Sequence, residues 1–166
     1  MGERIATGQK DDTGKEIYST KDGVLLTAVS AGGNIDVTVT GGSVDGQVLP
    51  GNAVIENLLS FDFSADRPGS VSLQAAGNIT QADTVTGAAV TGRNIRLTSL
   101  NGSIGILDGD GTSGQPVVVE SFSEKLARTD ESTGVSAEAK KNIYLAEKAD
   151  GNIAKNSGNM RVGTII

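Results

Sequence analysis

The chain of 166 residues has no cysteine, no histidine and no tryptophan, and aromatic residues make up only 3% of it. Each absence removes a class of chemistry. Without Cys there is no thiol nucleophile and no disulfide framework. Without Cys or His there is no imidazole-based triad and no Cys/His zinc site. Stacking rings are scarce, and 20 acidic side chains outnumber 14 basic ones for a formal net charge of −6. That balance argues against nucleic acid as a partner, which is held by Lys/Arg clusters and aromatic platforms. No stretch approaches the roughly 20 consecutive apolar residues of a membrane-spanning helix, so no membrane span is expected. The opening MGERIATGQKDDTGKEIYSTKDG is polar and lacks the apolar segment of a signal peptide.

Glycine is abundant: 23 residues, roughly twice average usage. It falls in a recurring phrase of Gly-Asn-Ile or a relative, alternating apolar residues, a few small residues and another Gly-containing turn. Copies run over Ala31–Val44, Val71–Ile79, Gly92–Ile106, Lys140–Ile153 and Ser157–Ile165. Each holds a short period-2 run: Ile35/Val37/Val39, Val71/Leu73, Ile95/Leu97, Ile143/Leu145, Met160/Val162. Val71, Ile95, Val119 and Ile143 are spaced by 24, and Leu49, Leu73, Leu97 and Leu145 follow the same register, with Ser121 as the exception. A period in this range is the mark of stacked repeats.

A short strand with one apolar face is not stable alone, but stacked on copies of itself it buries that face. The predicted architecture is therefore all-β, a right-handed parallel β-helix of five to six coils. Asn34, Asn78, Asn94, Asn142 and Asn152 each precede an aliphatic residue, and their carboxamides are predicted to bond the backbone or amide of the next coil. Residues 1–23 are the least patterned and are expected to be appended or disordered sequence; residues 24–166 form the β-helix segment. Two excursions are predicted, near 52–69 and 107–136. The first has the alternating run LLSFDFS as an extra strand, and the second has one short helical turn over Ser121–Asp130. The chain stops at Arg161–Ile166 inside a strand pattern, which predicts an internal segment of a longer protein. Open strand edges at the end coils predict end-to-end stacking at high concentration.

The phrases GRNIRLTSLNGSIGI and GVSAEAKKNIYLAEKADGNI, with MRVGTI, carry a resemblance. Asn94-Ile95-Arg96-Leu97, Gly102-Ser103-Ile104, Pro116-Val117-Val118-Val119, and Ala139 with Ile143-Tyr144-Leu145 resemble the repeats of filamentous-haemagglutinin-type exoproteins, from about Val24 to the end. The resemblance implies a right-handed parallel β-helix used as a stalk in a large protein secreted to the Gram-negative cell surface by the two-partner route. It implies an outer-membrane secretion partner for the parent and a host-cell surface or glycan receptor. The chain is then a structural or adhesive segment rather than an enzyme. Such exoproteins include leukocyte-killing toxins and contact-dependent inhibitors, so a scaffold part of a toxin is a second implication.

No catalytic, cofactor-binding or metal-binding residue is assigned, and no cofactor is expected. Leu107-Asp108-Gly109-Asp110-Gly111-Thr112 has calcium-like Asp/Gly alternation, but it lacks the downstream Glu and flanking helices of a calcium loop. It reads as a polar turn. A polysaccharide lyase or glycoside hydrolase, the alternative, needs paired carboxylates. In the 24-residue register Asp36 is followed by Ser60, Thr84 and Asp108, which makes no compact acidic cluster. Asp62 and Asp66, like Glu120 and Glu124, fall in the excursions. Asp36 and Arg96 lie between inward-facing aliphatics and point outward, and Arg93 with Arg96 is an ordinary pair for one strand. No Gly-rich phosphate cradle occurs.

Overall fold

The computed structural model describes residues 5–10, 16–19, 23–62, 67–107, 114–121, 134–148 and 162–166. Among them every regular element is a strand. Gly and β-branched residues, spread through the chain, disfavour helix.

The chain begins with a hairpin of β1 (Ile5–Lys10) and β2 (Glu16–Ser19), which pair with each other. β3 (Val24–Ser30) and β4 (Ile35–Val39) follow, then a second hairpin of β5 (Gly42–Val44) and β6 (Gln47–Leu49). The long strand β7 (Ala53–Asp62) comes next, with its short antiparallel partner β8 (Arg67–Pro68). β9 (Val71–Ala75), β10 (Ile79–Gln81), β11 (Val90–Gly92) and β12 (Asn94–Ser99) lead to a third hairpin, β13 (Ile106–Leu107) with β14 (Gly114–Gln115). β15 (Val117–Ser121), β16 (Gly134–Ala139), β17 (Leu145–Glu147) and β18 (Val162–Ile165) complete the order.

Two sheets built on parallel pairing carry the fold. In the first, β4, β9, β12, β16 and β18 lie side by side in that order. In the second, β7 pairs with β3, β10 and β11, β11 pairs with β15, and β15 pairs with β17. The chain visits the sheets alternately. Parallel neighbours cannot be joined by a tight turn and need a long crossover. Here each crossover of one sheet runs through a strand of the other: β4 reaches β9 through β7, and β12 reaches β16 through β15.

The alternation read from the sequence places the core. Ile35, Val71, Ile95 and Val135 form one buried row across the first sheet, and Leu73, Leu97 and Ala137 form a buried stretch of the next. On the alternate positions of these strands Asp36, Gln74, Arg96 and Glu138 are exposed. From the second sheet Ala53 and Ile79 are buried in register, and Ile104 joins them as an isolated bridge to Ile79 and Ile143. Each fully buried Leu, Ile or Val contributes about 1.5–3 kcal/mol, so these rows are the main source of stability.

Three expectations are corrected. The 24-residue register holds for Val71 with Ile95 and Leu73 with Leu97, then fails. Val119 and Ile143 belong to the second sheet, where Val119 pairs with Val90 and Glu147 and Ile143 bridges Ile104. Leu49 lies in the second hairpin and Leu145 opposite Val117. The excursion near 52–69 is in large part β7, a ladder strand with neighbours on both sides. Its alternation is hidden by a β-bulge: Leu26 faces Ile55, but Thr27 faces Asn57, leaving Glu56 extra. Ile55 and Leu58 are therefore both buried although they lie three positions apart, and no single period-2 phase fits. The interval 107–136 likewise contains β14, β15 and the start of β16. Of the predicted helical turn, Ser121 ends β15 and residues 122–130 lie outside the described residues, as do Asn152 and Met160.

Candidate functional site

The Gly-Asn phrase forms the corner that leads into the second sheet. Asn52 Oδ1 accepts the backbone N–H of Asn78 at 2.9 Å, and Asn78 Oδ1 accepts that of Ser103 at 2.9 Å. Ser103 Oγ accepts the N–H of Asn142 at 3.3 Å. Each side chain thus bonds forward to the equivalent residue of the next pass. The preceding glycines make room for this. A Cβ on Gly77 would sit 2.2 Å from Asn52 Oδ1, and one on Gly102 would sit 2.3 Å from Asn78 Oδ1. Gly51 satisfies two demands, a positive φ of 70° and a Cβ position 2.5 Å from Gly41 N. Beneath the corner the buried Ser99 Oγ donates to Gly77 O at 2.7 Å and accepts Gly102 N–H at 3.1 Å.

The other corner, leading into the first sheet, is less regular. Asn34 Oδ1 accepts Ser70 N–H at 3.2 Å, but the buried Asn94 Oδ1 has no hydrogen-bond partner among the described residues. The sequence placed Asn34, Asn78, Asn94 and Asn142 in one class. The structure divides them between two corners and adds Asn52 and Ser103, whose signal was the Gly immediately before each.

The second hairpin stands beside the regular corner. Asp45 and Gly46 both have positive φ, 52° and 82°, the requirement of a tight two-residue turn joining twisted strands. Between this hairpin and the corner lies a cleft of about 430 Å³. Its hairpin side is formed by Val48, Leu49 and Pro50, and its corner side by Asn78, Asn101 and Lys141. Val48 is 75% exposed, and Asn78, Asn101 and Lys141 are exposed as well. Successive passes bring the three polar residues together. Asn101 N–H donates to Ala76 O at 3.0 Å, and Lys141 N–H donates to Gly102 O at 3.0 Å. Asn101 Nδ2 donates to Ala76 O at 3.1 Å, so its carboxamide is held in place with Oδ1 left as an acceptor. Asn78 spends Oδ1 on Ser103 and keeps Nδ2 as a donor. Among the described residues Lys141 is the only charged one lining the cleft.

The residues weighed for catalysis do not converge. Asp36 is exposed on the outer face of the first sheet, in register with Ser72, Arg96 and Ser136 and not with Ser60 and Thr84. Arg96 and Glu138 border a smaller depression of about 180 Å³ on that face. Glu120 pairs with Lys148 at 3.7 Å. Ser60 is buried, its hydroxyl donating to Gly33 O. Asp66, Asp108, Asp110 and Glu124 lie outside the described residues, and among those described no group of three metal-capable side chains occurs. Sequence reasoning missed two polar braces. Buried Gln81 accepts Val118 N–H at 2.9 Å and donates to Val85 O at 2.9 Å, and Glu147 accepts Ser121 N–H at 2.9 Å.

Compared with known proteins, the chain matches no family model, no curated protein and no solved structure.

Proposed function

We propose that the two sheets are faces of one right-handed parallel β-helix, and that the chain is a structural and adhesive segment of a large secreted protein of the Gram-negative cell surface. The observation that carries this reading is the register. Five strands of the first sheet stack in parallel, and every return passes through the second sheet. Parallel crossovers are right-handed in nearly all proteins, which supports the handedness. A stack of this kind grows by about 4.8 Å per pass, so it provides reach with few residue types. It also tolerates insertions between passes, which become displayed loops. The second hairpin, with Val48 exposed at its side, is such a displayed element.

On this reading the partner is a host-cell surface or glycan receptor, and the parent leaves the cell through an outer-membrane secretion partner. The resemblance of Asn94–Ile106 and Gly134–Leu145 to filamentous-haemagglutinin-type repeats supports both. Beads coated with the chain are expected to adhere saturably to epithelial cells and to be displaced by soluble chain. Retention no greater than that of albumin-coated beads would overturn the adhesive reading.

A further inference from the structure

We infer that the cleft beside the second hairpin is a binding subsite for an acidic sugar, a hexuronate unit of a polysaccharide or glycoconjugate. The inference rests on the adhesive reading and gives it a ligand class. A hexuronate ring has three recognisable parts: a carboxylate, vicinal hydroxyls that both donate and accept, and an apolar C–H face. The cleft offers a counterpart for each. Lys141, the only charged residue among the described ones that line it, is a cation for the carboxylate in a chain whose net charge is −6. Asn101 Oδ1 is an acceptor, fixed because its Nδ2 is tied to Ala76 O at 3.1 Å. Asn78 Nδ2 is a donor, fixed because its Oδ1 is tied to Ser103 N–H at 2.9 Å. Val48, Leu49 and Pro50 form an apolar wall opposite them.

Two features make this a prepared surface. Both carboxamides are oriented by backbone bonds before any ligand arrives, which lowers the entropy cost of binding. The three polar groups sit on adjacent passes of the same corner, at neighbouring rather than identical positions, and successive passes are about 4.8 Å apart. That spacing is comparable with the width of a pyranose ring. At about 430 Å³ the cleft is at the small end of ligand sites, suited to one or two sugar units. A neutral hexose would leave Lys141 without its partner, and a nucleic acid would find no stacking ring.

The test is a titration of the 15N-labelled chain with a tetrasaccharide of galacturonic acid, with a neutral galactose tetrasaccharide alongside. The expected result is saturable shifts clustered at the backbone amides of Asn78, Asn101, Gly102 and Lys141, at least tenfold weaker with the neutral sugar. Asn101→Asp places a carboxylate against that of the ligand and is expected to weaken binding at least tenfold. Lys141→Gln is expected to weaken it three- to tenfold and to remove most of its salt dependence. An unchanged amide spectrum outside the cleft shows that each variant still folds. Shifts that are absent, that fall elsewhere, or that are equal for the neutral sugar overturn the inference. Bead adhesion that persists with Asn101→Asp and with excess tetragalacturonate overturns the subsite and leaves the adhesive reading standing. Tetragalacturonate binding without bead adhesion does the reverse.

Discussion

The two sheets are made from the same repeated passes yet differ in regularity. The first has strands of four to six residues, and β4, β9, β12 and β16 align without a shift. The second contains a ten-residue strand with a bulge, and one pass broken into β10 and β11 around residues 82–89. Its later pass is split in the same way, Ile104 standing apart from β15 with the third hairpin between them. Among the described residues insertions therefore interrupt mainly the second sheet, while the first sheet keeps its register. The difference also governs the polar braces. Where β10 ends early, the Gln81 side chain bonds Val118 N–H in place of a backbone carbonyl, so the broken ladder is completed by a side chain.

The largest expected effect lies in the regular sheet. Leu97 is fully buried between Leu73 and Ala137, and Leu97→Ala is expected to cost about 3–4 kcal/mol in urea unfolding. A loss below about 1.5 kcal/mol would mean that this sheet does not hold the register. Next comes the corner. Gly102→Ala drives a methyl into Asn78 Oδ1 and is expected to cost about 2–3 kcal/mol. Combining it with Asn78→Ala, which alone is expected to cost about 1 kcal/mol, should recover part of the loss. Strict additivity would mean that the backbone of Asn78 and Gly77, 2.7 Å from that methyl, carries the whole clash. In the broken sheet Gln81→Ala removes the brace and is expected to cost about 1–2 kcal/mol, with faster hydrogen exchange at Val118 N–H as the specific sign. Smallest is Glu56→Ala, the extra residue of the bulge. It is exposed and bonded to Thr27 Oγ1 at 2.7 Å, and a change in thermal midpoint of more than about 2 °C would show that the bulge depends on this bond.

The same contrast explains what was readable in the sequence. Ile35/Val37/Val39, Val71/Leu73 and Ile95/Leu97 disclosed their strands because an unbulged strand keeps period 2. The spacing between passes did not follow one number. In the first sheet equivalent residues 35, 71, 95, 135 and 162 are separated by 36, 24, 40 and 27, so a fixed 24 matched one interval and then crossed into the other sheet. β7 was read as an excursion because its bulge reverses the phase between Ile55 and Leu58. The candidate site was half legible. Asn78 and its phrase were visible, but the meeting of Asn101 and Lys141 with Val48 depends on which passes are neighbours, and a 40-residue interval conceals that.

The corner chain of Asn52, Asn78, Ser103 and Asn142 has a direction. The side-chain oxygens of Asn52, Asn78 and Ser103 each accept from the pass that follows in the chain. A pass that has already folded therefore holds out an oriented acceptor, and the next pass needs only to supply a backbone N–H. Assembly that begins at the amino end can proceed one pass at a time on a finished template with side-chain acceptors, whereas assembly from the carboxyl end meets only the backbone carbonyls of Asn78, Ser103 and Asn142 at this corner. Pulse-labelled exchange is expected to register this as protection reaching Asn78 N–H before Ser103 N–H, and Ser103 before Asn142. A chain emerging from a narrow exit amino end first would thus lock each pass as it appears, and the growing lock would oppose its slipping back.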